Sequence, residues 1–168
     1  GRIMFLGHLR PSKGLEYLLQ AFRLLLEENR EAELLIAGSP HAHDQSDYAS
    51  SLRRLMNELG ISRKVRIESL VPEKKLAELI CSSQIIILPY LDDGFIEASG
   101  ALARMMDYGR PVICSNIPKF RGEFADQTPF TMINPRDTNA LAEILNSFLQ
   151  DPHLREQKAN LLKKVAKA

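Results

Sequence analysis

Four consecutive apolar residues, Ile85-Ile86-Ile87-Leu88, stand between Gln84 and Pro89. A strand with one wet face alternates apolar and polar residues. A short run without any polar residue fits a central strand of a parallel sheet, covered on both faces. Parallel neighbours require crossover connections, usually helices. The rest of the chain supplies them. Ile3–Leu6, Leu34–Ala37, Val65–Ile67, Pro111–Cys114 and Phe130–Ile133 read as further strands. Between them apolar residues recur at helical spacing: Leu15, Leu18, Leu19, Phe22, Leu25 and Leu26; then Leu52, Leu55, Met56 and Leu59; then Leu76, Leu79 and Ile80. Pro72 is expected in the first turn of that third helix, where a missing N–H costs nothing. A helix after Ser99 stops at Gly109, Asp137-Thr138 caps one carrying Leu141, Ile144, Leu145 and Phe148, and Asp151-Pro152 opens a last, Lys-rich one. This alternation predicts an α/β fold: a Rossmann-like, doubly wound parallel sheet of about six strands with helices on both faces.

At 168 residues the chain suffices for one domain, residues 1–168, and is too short for two ordinary ones. Its net charge of +1, with no basic block, argues against a nucleic-acid partner. The longest apolar runs fall far short of the ~20 residues that span a bilayer. Cys81 and Cys114 have no His or Cys neighbours, so they suggest neither a zinc site nor a disulfide. Both are expected as core thiols of a reducing, cytoplasmic compartment. The first residues already read as strand, with no initiator Met or signal peptide, so the chain is expected to be an excised part of a larger protein.

Ligands of doubly wound sheets bind at the carboxyl ends of the strands, and three loops there carry the candidate residues. In the first, Gly7-His8-Leu9-Arg10-Pro11-Ser12-Lys13-Gly14, Gly7 allows close backbone approach and Arg10 and Lys13 set cations beside a helix N-terminus. Two solvated cations at an ordinary helix start explain this loop equally well, and neither the P-loop nor the GxGxxG spacing is present. The second, Ser69-Leu70-Val71-Pro72, offers backbone polar groups suited to the edge of a planar base, or is a plain strand-to-helix turn. The third, "DDGFIEASGALARMMDYGRPVI", brings Asp92, Asp93 and Glu97 as acceptors for sugar hydroxyls, and Ser99-Gly100 as a helix start whose N–H groups face an anion. Alternatively the aspartates are solvated and Ser99 only caps. Together the loops describe a pocket for a phosphorylated sugar. His41-Ala42-His43 lacks a third metal ligand and reads as a polar loop.

The segments "IMFLGHLRPSKGLEYLLQAF", "ELLIAGSP", "KVRIESLVPEKKLAELICSSQIIILPY" and "DYGRPVICSN" resemble, in order, successive blocks of the C-terminal domain of family-4 glycosyltransferases, the GT-B group-1 enzymes. The resemblance covers Ile3 to about Leu149. It implies one GT-B half: a donor domain for a nucleotide sugar, facing an N-terminal acceptor domain that is missing from this chain. It further implies retaining hexosyl transfer without metal or other cofactor. By position, Lys13 matches the lysine that contacts the donor diphosphate, with Gly7 and Arg10 on the same loop. His8 stands where an arginine is usual. Leu70 and Val71 match the segment whose backbone reads the base. Glu97 matches, with a one-residue shift from Ile96, the first glutamate of the family's Glu-x7-Glu region and is the candidate catalytic contact to the donor sugar. Arg104 replaces the second glutamate, which holds ribose. Ser99 and Gly100 resemble a subgroup whose helix start holds phosphate.

The leading expectation is therefore the donor-binding domain of a glycosyltransferase, inactive by itself, with peripheral membrane association open only to the full-length protein. A sugar-nucleotide epimerase would need an acid/base pair that the sequence does not offer. The departures at His8 and Arg104 keep an alternative: a non-catalytic binding or assembly module that retains the fold without the donor site.

Overall fold

In the computed structural model, which describes residues 1–40, 47–94, 105–121 and 129–166, the apolar run forms strand β4 (Ile85–Leu88), with all four residues buried. It lies inside a six-stranded sheet with β1 (Arg2–Leu6), β2 (Glu33–Ala37), β3 (Val65–Glu68), β5 (Val112–Ser115) and β6 (Thr131–Ile133). The order is β3-β2-β1-β4-β5-β6, every pair parallel. Met4 pairs with Ile86, and Ile86 with Val112, so the apolar run is the hinge between the two halves of the sheet.

The crossovers are α1 (Leu15–Glu28), α2 (Tyr48–Glu58) and α3 (Glu73–Cys81), followed by the short α4 (Pro118–Arg121), then α5 (Thr138–Gln150) and α6 (Pro152–Ala166). Residues 105 and 106 are also helical. The buried stripe of α1 is Leu15, Leu18, Leu19, Phe22 and Leu25, and α1 packs against α5. Leu26 lies at the edge of that stripe, half-buried. The caps follow the sequence. The Asp137 carboxylate accepts the Ala140 N–H at 3.0 Å, and Asp151 accepts from His153 and Leu154 at 2.9 and 3.0 Å. Pro72 sits one place earlier than expected, as the extended residue before α3, consistent with its fixed φ.

The cysteines divide. Cys114 is fully buried in β5, and burial pushes its thiol up to about 12. Cys81, expected in the core, is exposed at the end of α3. Helical periodicity explains the difference, since Leu76, Leu79 and Ile80 already occupy the inner face.

Ile86 has no solvent exposure and pairs on both sides. Ile86→Ala is expected to cost about 2–5 kcal/mol, because the covering layers cannot collapse into the space. Urea denaturation should show a lower midpoint at unchanged slope.

Candidate functional site

The order of the sheet reverses at β1. The chain lays β2 and β3 on one side of it and then returns to place β4 on the other. In doubly wound sheets the ligand crevice falls at this reversal, here between the loops that leave β1 and β4. The first loop is held along β2: Gly7 N–H donates to Ala37 O at 3.1 Å and Leu9 N–H to Ser39 O at 3.0 Å. A 3-10 turn, Pro11–Lys13, follows, and Gly14 in the left-handed region (φ 66°) turns the chain into α1. The two loops are stitched together by the Leu91 N–H, which donates to Ser12 O at 2.9 Å.

At this crossing Lys13 is buried, only 8% exposed, with Nζ 3.6 Å from the centre of the Tyr90 ring. Tyr90 is itself buried and touches Phe5 and Phe120, with ring centres 6.4 and 5.3 Å away. An ammonium held away from water loses hydration that the ring face only partly replaces. Burial, reinforced by the charges of Arg10 and Lys119 and opposed by Asp93, lowers the Lys13 pKa to about 8. Arg10 lies 3.9 Å from the Asp93 carboxylate, and its buried Nε has no hydrogen-bond partner among the described residues.

Two solvated cations were one expectation for this loop, and the structure overturns that for Lys13. Arg10 is half-buried beside it, while His8 is exposed. Gly7 lies against Tyr90: a Cβ there would come 3.3 Å from the tyrosine hydroxyl. The Asp92 carboxylate accepts the N–H of Gly94 at 3.0 Å, so one of the two aspartates expected to meet sugar hydroxyls also shapes its own loop. Leu70 and Val71 stand apart on the loop after β3. Leu70 is 84% exposed and adopts φ 53°, a conformation that is strained for a leucine and concentrates at functional positions. Glu97, Ser99, Gly100 and Arg104, with Ile96 and the His41–His43 pair, lie outside the described residues. Among the described residues no group of three or more His, Cys, Asp or Glu is placed to hold a metal ion, and no helix is long and apolar enough to cross a membrane.

Sequence reasoning missed Tyr90, Lys119 and Ser115. Each follows the carboxyl end of a central strand or sits on it, so the rule that selected the Lys13 loop would have found them if applied to β4 and β5. Ser115 ends β5 fully buried, and its Oγ has no hydrogen-bond partner among the described residues.

A six-stranded parallel sheet of this order defines a Rossmann-like domain, here with cations at its switch point. The chain belongs to the family Glycosyl transferases group 1, which it matches over residues 1–151. It is 31% identical over 163 residues to an uncharacterized glycosyltransferase of Methanocaldococcus jannaschii, covering 96% of this chain and 39% of the relative. Among solved structures it superposes on Anabaena HepE in complex with UDP-glucose, with a TM-score of 0.83 at 16% identity, over 99% of this chain and 43% of that one. The C-terminal domain of LpcC, a group 1 family protein of Francisella tularensis, gives 0.82 at 15% identity, over 99% and 84%. The chain thus spans about two fifths of the length of the curated relatives it matches.

Gly14 and Gly60 are both left-handed, at φ 66° and 69°. A Cβ on Gly14 would lie 2.0 Å from the carbonyl oxygen of Pro89, whereas one on Gly60 meets nothing within 4 Å. Gly60→Ala is expected to cost about 1–2 kcal/mol from backbone strain alone. Gly14→Ala should lose about 1–3 kcal/mol more, by forcing the β1 and β4 loops apart. Guanidinium melts of the two variants measure the difference, and equal losses would rule out the steric contact.

Proposed function

We propose that the chain binds the diphosphate of a nucleotide sugar, as the donor-side half of a retaining GT-B glycosyltransferase whose acceptor side is a separate N-terminal domain. The observation that carries this reading is Lys13: a buried ammonium with a lowered pKa, flanked by Arg10 and Lys119 at the switch-point crevice. Among the described residues one carboxylate, Asp93, faces the three cations Lys13, Arg10 and Lys119, and a diphosphate would supply the negative charge that is short. In glycosyl transfer negative charge grows on the departing diphosphate, and cations already fixed in place stabilise it without reorganising. HepE, a structural relative, was solved with UDP and with UDP-glucose, which supports a nucleoside diphosphate as the ligand class. In this reading Leu70 and Val71 present backbone groups to the base, Glu97 contacts the donor sugar, and Ser99 and Gly100 hold phosphate. Arg104, in place of a ribose-binding glutamate, alters how the ribose is held.

Lys13→Met tests the reading. Loss of a charge-assisted contact costs roughly 1.5–3 kcal/mol, so UDP affinity measured by calorimetry should fall about tenfold or more. The melting temperature at pH 7 should hold or rise. The folded pKa of about 8 lies below the ordinary 10.5, so folding disfavours the charged form. That penalty is fully present below about pH 8 and is relieved as pH rises from there towards 10.5. A drop of several degrees with unchanged UDP affinity would make Lys13 a structural contact and leave a fold-only module.

The same pKa sets a pH dependence. Between pH 7 and 9 the terminal phosphate stays ionised, its pKa being about 6, while unliganded Lys13 loses its proton. UDP affinity should therefore weaken as pH rises through about 8 in the native chain, and this dependence should vanish in Lys13→Met.

The protein's own cations neutralise the diphosphate in this reading, so UDP affinity is expected to be the same with EDTA and with added Mn²⁺. Affinity that depends on Mn²⁺ would assign the diphosphate to a metal instead.

A further inference from the structure

The opposite rim of the sheet, where β1, β2 and β3 begin, holds a cavity of about 150 Å³ over Leu34 and Leu35. Its walls are cationic. Arg2 comes from β1, Arg66 from β3, and Arg63 and Lys64 from the turn before β3, with Glu33 the one carboxylate of the lining. The backbone behind these side chains is tied down. Lys64 O accepts the Leu34 N–H at 2.9 Å, Lys64 N–H donates to Ile61 O at 2.8 Å, and Ile61 N–H donates to Met56 O at 3.0 Å.

The nearby carboxylates are already engaged. Glu33 lies 3.6 Å from the Arg2 guanidinium, which also donates to Ser82 Oγ at 3.1 Å. Glu68 is shared by Lys75 at 2.9 Å and Arg66 at 2.7 Å. The hydrogen bond from Lys75, aided by the charges of Arg66, Lys75 and Arg2 against burial, holds its carboxyl below the usual range. The Arg63 and Lys64 side chains make no hydrogen bond or ion pair among the described residues. Five cations against two carboxylates leave a surplus of three positive charges at this corner, in a chain whose net charge is only +1.

We propose that this cavity is a second anion site, which takes a compact phosphate or diphosphate group. Ligand pockets for drug-sized molecules run to about 300–1,000 Å³, so the cavity suits such a group and not a whole nucleotide. Arginine forks at its wall match phosphate oxygens two at a time. The length of a five-residue strand, about 15 Å, separates it from the Lys13 crevice, so the two sites fill independently. The phosphate belongs either to a soluble compound or to a lipid headgroup.

Calorimetry with inorganic pyrophosphate on the Lys13→Met chain weakens the crevice contribution, so that substitutions at the rim report the rim. Saturable binding is expected there, weakened about tenfold or more by Arg63→Gln with Lys64→Gln, since two charge-assisted contacts go. Lys64 is half-buried and Arg63 exposed, and an unchanged melting curve confirms that the variant folds. Flotation with phosphatidic-acid vesicles separates the sources. Capture displaced by pyrophosphate assigns a lipid headgroup, and no capture with pyrophosphate binding intact assigns a soluble phosphate compound. The absence of saturable binding in Lys13→Met, or binding that the double substitution leaves unchanged, overturns the proposal.

Discussion

Returning β4 to the free side of β1 is the constraint on which the rest depends. A parallel sheet cannot fill the gap this return leaves between two strand-end loops, because the chain leaves β1 towards β2 and leaves β4 the opposite way, towards β5. The protein closes the gap from below with packed rings, Phe5, Tyr90 and Phe120, and from the side with the Leu91–Ser12 hydrogen bond. What remains is a crevice floored by an aromatic face, and Lys13 lies on that face. The 3-10 turn and the left-handed Gly14 bring the lysine there instead of releasing it to water.

A buried ammonium opposes folding, and the lowered pKa of Lys13 reports that opposition. The core offsets it. β4 and β5 are buried along their whole length, and the stripes of α1 and α5 cover the sheet. Such a trade fits the proposed site for negative charge better than it fits a structural cation, because a ligand would then supply the stabilising partner. Among the described residues Asp93 is one carboxylate against Lys13, Arg10 and Lys119, so the site stays cationic.

Charge is distributed unevenly between the two rims of one sheet. At the carboxyl rim it is held against aromatic rings and screened from water. At the amino rim Arg2 and Arg66 are partly solvated, over a floor of Leu34 and Leu35. The physical consequences differ. Lys13 at the first rim is desolvated before any ligand arrives, while Arg2 and Arg66 at the second keep contact with water.

The sequence by itself determined the layers. Ile85–Leu88 is apolar without interruption because β4 is covered on both faces, and the helical stripes and the Asp137 and Asp151 caps carry their own local signals. It also selected the strand-end loops, since a doubly wound sheet offers its ligand edge in one place. Only the tertiary structure decided what those loops contain. Whether Lys13 is solvated stayed open in the sequence because nothing near it there buries it; its burial comes from Tyr90, brought over by the return of β4. Cys81 looked like a core thiol because a cysteine's type says buried, while its angle around α3 says otherwise. The left-handed turn at Leu70 and the cationic cavity at the amino rim left no periodic trace. Periodicity records which face of an element is covered; the meeting of side chains from distant elements depends on strand order and register, which no local pattern encodes.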